Sequence, residues 1–312
     1  METKTGAAGR HGDDPGYAQV RRLAVKPFIA VPALLILIAA LLVSFWLIAA
    51  VLGGRMSPWL AAVPGALAGY FLFTPIHEAI HRSASNREWV NDLVALVTIG
   101  ILLPYASPKL LRWGHMQHHR FTNEHDNDPD RMLTGRWYGP LLLWPFFEVF
   151  YLPQYLRKAG TRPPREVRQV LCQFVLGLAA LALLFHFTGP ELFVFWFLSS
   201  RAGLWLIVFV FVFLPHHPHD VLQKDDIYGA SSLREGHDTL LTVLMAGQNR
   251  HLVHHLYPTV PFHRLKAAWE ARREHHEGQR PARVSGFGLR PVRESWCRER
   301  ESNPYDVSTG GF

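Results

Sequence analysis

Thiol chemistry is nearly absent from this chain. Its two cysteines, Cys172 in an apolar run and Cys297 in a basic tail, provide no disulfide framework, no cysteine-based zinc site and no iron–sulfur cluster. Charge is scarce as well: 18% of the residues are charged against 49% hydrophobic, and the apolar residues are gathered into blocks. The polar, Gly-bearing N-terminus lacks the apolar segment of a secretory signal. The net charge of +7 lies beside the apolar blocks, which fits an anionic membrane surface better than nucleic acid.

The blocks are long enough to cross a bilayer, for which about 20 apolar residues are needed. Residues 28–52 and 58–76 predict one transmembrane hairpin, and residues 168–188 and 191–214 a second that turns at Gly189-Pro190. Arg201 falls near the middle of the last span, where a cation is costly; snorkelling, a displaced helix and a functional role are all open. Residues 89–107 are apolar but short and predict an interfacial or re-entrant helix, and residues 138–156, proline-broken and holding Glu148, predict an interfacial one. The expected fold is an all-α integral membrane protein. It has four transmembrane helices in two hairpins, interfacial helices, and a helical cap that holds a histidine-rich site. Residues 1–26 are expected to be disordered, residues 27–270 to form the membrane domain, and residues 271–312 to be a basic, flexible tail.

Lysine and arginine number five before the first span, twelve from Arg82 to Arg168 and thirteen after Leu214, while the two turns between paired spans hold Arg55 alone. The positive-inside rule then puts both termini and the middle segment in the cytoplasm, for a protein of the cell (inner) membrane.

Histidine is what the chain has in pattern. His77 and His81 are spaced i, i+4; His115, His118 and His119 are spaced i, i+3, i+4; His251, His254 and His255 repeat that spacing. On a helix each set shares one face. Neutral imidazole binds iron, zinc, copper and nickel, and eight such groups exceed the needs of one ion, so two metal ions are expected. His216 or His219, just beyond the last span, is a candidate ninth ligand. Metal-bound imidazoles usually donate their second N–H to an acceptor. Glu78, Asp92, Asp126, Asp128 and Asp130 are near enough in sequence, with Asp130 favoured; Gln248 and Asn249 precede the third set and suit orienting a water or ligand. A helix is expected from about Asp238 to Tyr257.

The motifs His-Glu-Ala-Ile-His (77–81), His-Met-Gln-His-His (115–119) and His-Leu-Val-His-His (251–255) resemble the three histidine boxes of the membrane fatty acid desaturase and hydroxylase superfamily, over about residues 60 to 270. The run from Gly247 to Phe262, and His118-His119-Arg-Phe-Thr-Asn123 with Asp128-Pro-Asp130, are similar to boxes of bacterial fatty acid desaturases and of desaturase-like β-carotene hydroxylases. That resemblance implies two non-haem irons held by the eight box histidines, O2 as co-substrate, and oxidation of an unactivated C–H bond of a lipid drawn from the bilayer. Loss of a second hydrogen gives an alkene, and return of oxygen gives an alcohol. No His-Pro-Gly-Gly haem motif of a fused cytochrome b5 occurs, which implies a separate electron donor such as a ferredoxin and its reductase. Fatty-acyl desaturation or hydroxylation is the leading expectation and carotenoid ring hydroxylation the alternative. A histidine-rich metal transporter is a remote one, because its site would sit near the bilayer midplane. A bis-imidazole haem would leave six of the histidines without a role.

Overall fold

A computed structural model describes residues 14–134 and 138–292. Among the described residues, four helices are long and apolar enough to cross a membrane: α2 (Val31–Leu52), α3 (Pro58–Ile80), α7 (Pro164–Thr188), and α8 (Pro190–Ile207), which runs on through a π-helical stretch, Val208–Phe213, into α9 (Leu214–His216). They pair as α2–α3 and α7–α8, with α3 packed along α8 at the centre. Proline at the first turn of each helix lacks an N–H that would go unpaired there, so it starts the helix without penalty. Leu35, Leu42, Phe45 and Trp46 on α2, and Val175, Leu176 and Phe187 on α7, face outward. Large apolar side chains around the outside of a bundle suit lipid as the surrounding medium. The third span begins four residues before its expected start, because Pro163-Pro164 sets the first turn.

Shorter helices gather at one end of the bundle. They are α4 (Glu88–Leu102), α5 (Pro108–Phe121), α6 (Phe147–Arg157), α10 (Ile227–Ala230), α11 (Asp238–Leu244), α12 (His251–Leu256), α13 (Leu265–Ala271) and α14 (Arg273–Gly278). α4 turns Val94, Ala95 and Ile99 inward and Trp89, Leu93 and Leu96 outward, and its last turn reaches in between the long helices, where the Ile101 carbonyl accepts from Trp196 of α8. A two-stranded parallel ribbon of β1 (Ser232–Glu235) and β2 (Ala282–Ser285), with Ser232 opposite Ala282, ties the chain end to this cap.

Three expectations are corrected. Residues expected to be disordered include α1 (Pro15–Leu23): Asp14 caps it by accepting from the Gly16 and Tyr17 amides, Val20 is buried, and the helix packs on α13. Within the expected flexible tail, residues 271–292 hold α14 and β2, fixed by Arg234, whose guanidinium donates to the carbonyls of Gly286 and Gly288. The helix expected from Asp238 to Tyr257 is two helices, because Ala246 and Gly247 adopt positive φ (45° and 80°) and redirect the chain. The parts of these terminal expectations in residues 1–13 and 293–312, with Cys297, lie outside the described residues.

Arg201 neither snorkels nor faces lipid. It is buried, its Nη1 2.6 Å from Glu148 Oε1 and 2.8 Å from the Pro145 carbonyl, with the Tyr105 hydroxyl 3.2 Å from Nη2. Glu148 belongs to α6, so the proline-broken segment supplies the counter-ion for the cation of the last span.

Candidate metal centre

The three motifs reach one place from different directions. α3 carries His77 in its last turn and His81 at its C-cap; α5 carries His115, His118 and His119; α12 carries His251, His254 and His255. His216 ends α9. The imidazoles sort into two groups, His77, His81, His115, His119 and His254 in one, and His118, His216, His251 and His255 in the other. Each of the two larger motifs is therefore divided between the groups, with adjacent histidines pointing to different centres.

The spacing fits metal coordination. In the first group the Nε2 atoms of His81 and His115 are 2.7 Å apart, those of His115 and His119 3.2 Å, and those of His119 and His254 2.9 Å. In the second, His118–His216, His216–His251 and His251–His255 are each 3.1 Å. Two ligands at right angles on an ion, each about 2.1 Å away, would lie roughly 3.0 Å apart.

Protonation gives a stronger test. In the second group every Nδ1 faces an acceptor: Asp128 Oδ1 at 3.0 Å from His118, the Ala230 carbonyl at 2.9 Å from His216, Gln248 Oε1 at 2.8 Å from His251, and Gln223 Oε1 at 3.1 Å from His255. A proton on each Nδ1 turns the four Nε2 atoms toward one another, and a metal ion there would take up their lone pairs in place of the second proton that His118 can carry, so the residues fit a metal ion. Burial holds His115, His119, His251, His254 and His255 neutral, with pKa values well below the ordinary imidazole range, and neighbouring imidazoles add to the effect. At His118 burial acts in the same direction, but Asp128 and Asp130 outweigh it and raise the pKa to about 9. Burial raises Asp130 to about 6, against the pull of His118.

The orienting groups are not those favoured on sequence. Asp128 caps the 3-10 turn Pro129–Leu133 and accepts from the Asn123 and Asp130 amides, which aims its carboxylate at His118. Asp130 stands farther off, 3.5 Å from His118 Nδ1, and accepts from the Tyr151 hydroxyl. Glu78 Oε1 accepts from the Phe262 amide, so it anchors the segment after the third motif instead of touching an imidazole. Asn249 lies between the Gly247 carbonyl (3.1 Å) and the Arg250 guanidinium (3.2 Å), in the turn before α12. His219 is outside both groups, its Nδ1 3.3 Å from Asn123 Oδ1. Exposed His125 pairs with Asp126, and His186 lies exposed near the far end of α7. Gln223 and the Ala230 carbonyl had no sequence signal, since they hold histidines from α12 and α9 through contacts made only by the folded cap.

Beside the imidazoles lies an apolar cavity walled by Phe73, Ile76, Leu102, Ile207 and Phe211. His77, His115, His118 and His251 line its metal-facing end.

Comparison with known proteins agrees with this geometry. Residues 57–285 match the family described as fatty acid desaturase. The chain is 27% identical over 229 residues to an sn-1 acyl-lipid omega-3 desaturase (ferredoxin) of Nostoc sp. (strain 36), covering 64% of this chain and 63% of that protein. It is 27% identical over 234 residues to a Delta(12) acyl-lipid conjugase (11E,13E-forming) of Impatiens balsamina, covering 62% and 60%. To an sn-2 palmitoyl-lipid 9-desaturase of Nostoc sp. (strain 36) it is 27% identical over 222 residues, covering 64% and 67%. The match thus spans less than two thirds of the first and second of these relatives. With the matched region running from the first turn of α3 to the end of β2 and enclosing all nine clustered histidines, the chain belongs to the fatty acid desaturase family.

Proposed function

We propose that the protein is a membrane desaturase of acyl lipids. One observation carries this reading: nine imidazoles from three motifs and His216 converge as two separate groups beside an apolar cavity. We assign His77, His81, His115, His119 and His254 to one iron and His118, His216, His251 and His255 to the other. An all-imidazole donor set without thiolate suits iron in oxygen chemistry. When bound, the two irons supply the O2-dependent oxidising power that cleavage of an unactivated C–H bond requires.

The reaction balances as follows. A CH2–CH2 pair, O2, two electrons and two protons give CH=CH and two waters, with the lipid and the external donor each contributing two electrons. The residues of the chain hold a saturated segment between Phe73, Leu102, Ile207 and Phe211, fix its distance from the histidines and exclude water. Asp128, Gln248, Gln223 and the Ala230 carbonyl keep the Nδ1 protons of the second group in place, so each of its four Nε2 atoms stays a ligand. The electron donor in this reading is a separate ferredoxin-type protein, supported by the name of the Nostoc relative. The charge distribution supports an inner-membrane protein with the histidines on the cytoplasmic side.

The test is expression in two hosts, one with ordinary lipids and one accumulating β-carotene, followed by acyl-chain and pigment analysis and iron determination. New double bonds in lipid acyl chains, with close to two irons per chain, are expected. Hydroxylated carotenoid with unchanged acyl chains would overturn the substrate, and stoichiometric zinc with no oxidised product would overturn the enzyme.

A further inference from the structure

Lys109, Arg112, Trp113 and Met116 recur at helical spacing on α5, on a face that borders the one carrying His115 and His119 and lies opposite His118. They line a polar cavity of about 340 Å3, closed by Ala79 and Ile80 of α3, Asp92 of α4, and Arg162 and Glu166 at the start of α7.

The charges in this cavity do not cancel. Arg162 is held by Glu166 at 2.9 Å, and Arg82, also on the wall, is held by Glu88. Among the described residues, Lys109 reaches the neutral amide of Gln169 and Arg112 has no carboxylate within ion-pair distance. Asp92 is the remaining carboxylate on the wall. With Glu88 counted, four wall cations, Arg82, Lys109, Arg112 and Arg162, face three carboxylates. Arg112 is half-buried, which limits the screening of its charge by water, while Lys109 reaches the cavity from an exposed position.

Position narrows the ligand. The wall is built from the last turn of one span and the first turn of another, with α4 between them, so the cavity lies at the depth of lipid headgroups. Ile80 lines both this cavity and the apolar one that ends at the histidines. A molecule anchored by its charge in the first is therefore already beside the second. A guanidinium and an ammonium one helical turn apart match the oxygens of a phosphodiester.

We propose that the cavity binds the phosphodiester headgroup of a glycerophospholipid and so selects the lipid whose acyl chain enters the site. This rests on the acyl-lipid reading above. A soluble acidic protein is a poorer fit, because the cavity is too small for a protein surface and lies at the depth of the bilayer.

The test uses full-length protein in detergent, offered mixed micelles of phosphatidylglycerol and galactosyldiacylglycerol with the same acyl chains. Lipids retained after washing are quantified, and acyl products are analysed on the same preparations with a reducing system. The wild type should retain phosphatidylglycerol over the neutral lipid by about tenfold, as expected for two charge-assisted contacts. Arg112→Gln and Lys109→Gln should each bring that ratio towards one, whereas Arg112→Lys, which keeps the charge, should preserve most of it. Equal retention by the wild type, or an unchanged ratio in both glutamine variants, overturns the proposal. Displacement of the lipid by millimolar inorganic phosphate overturns the lipid assignment and makes the cavity a free-anion site. Headgroup preference without new double bonds would sink the desaturase reading and leave this one standing. Double bonds formed equally in both lipids would do the reverse.

Discussion

The guanidinium of Arg201, inside the fourth span, meets the carboxylate of Glu148 at 2.6 Å, and Phe146 and Phe197 cover the pair with their rings 5.1 and 5.8 Å from the guanidinium carbon. Removing one partner leaves the other charge buried and unpaired, which costs about 3 to 5 kcal/mol, whereas removing both costs far less. Glu148→Leu and Arg201→Leu should therefore each lower the unfolding midpoint in detergent, and the double variant should recover most of the loss. Additive losses would show that the two side chains do not act as a pair.

His216 tests the division of the imidazoles. His216→Ala should reduce bound metal from about two ions per chain towards one, by removing one of four donors from the second group, and should abolish product. His219→Ala should keep full metal content, since His219 bonds Asn123 outside both groups. Metal analysis of the purified variants decides it, and loss of metal in His219→Ala would require a different donor set.

Asp128 should matter more than Asp130. Loss of a carboxylate that orients a metal-bound imidazole typically weakens metal affinity about 10- to 100-fold. Asp128→Asn is expected in that range, measured by competition with a chelator, with a smaller effect from Asp130→Asn. The reverse ranking would show that the 3.5 Å contact of Asp130 dominates.

The cap should weaken in acid. His276 is fully buried, stacked on Trp269 and bonded to the hydroxyls of Tyr228 and Tyr257. Burial, with Arg272 and His275 nearby and only Asp14 opposing, lowers its pKa to about 4 from 6.5. Above 6.5 it is neutral whether the chain is folded or not. As pH falls from 6.5 to 4 the unfolded chain gains a proton that the folded one refuses, so stability drops across that window and levels below it. Thermal midpoints against pH should show this fall, and His276→Gln should flatten it.

How much was legible on sequence follows from how local each signal is. The eight box histidines could be found because helical spacing puts each set on one face within five residues. The pairing of Arg201 with Glu148 could not, although each residue stands out alone, because 53 residues separate them and the contact is made by tertiary packing. The choice of Asp128 over Asp130 turns on the 3-10 turn that Asp128 caps, since that turn sets which carboxylate faces inward. The first helix did leave a signal, an Asp before a Pro at its N-terminus, but a short polar segment has no core until α13 supplies one.

The split of each larger histidine motif between two centres bears on assembly. By the time His119 has been synthesised, four of the five imidazoles of the first group exist, but only His118 of the second. The second group needs His216 at the end of α9 and His251 and His255 of α12, so its donors come together only when α5, α9 and α12 have packed. If the groups hold metal as proposed, the first would have most of its donors early in the chain and the second would depend on the folded cap.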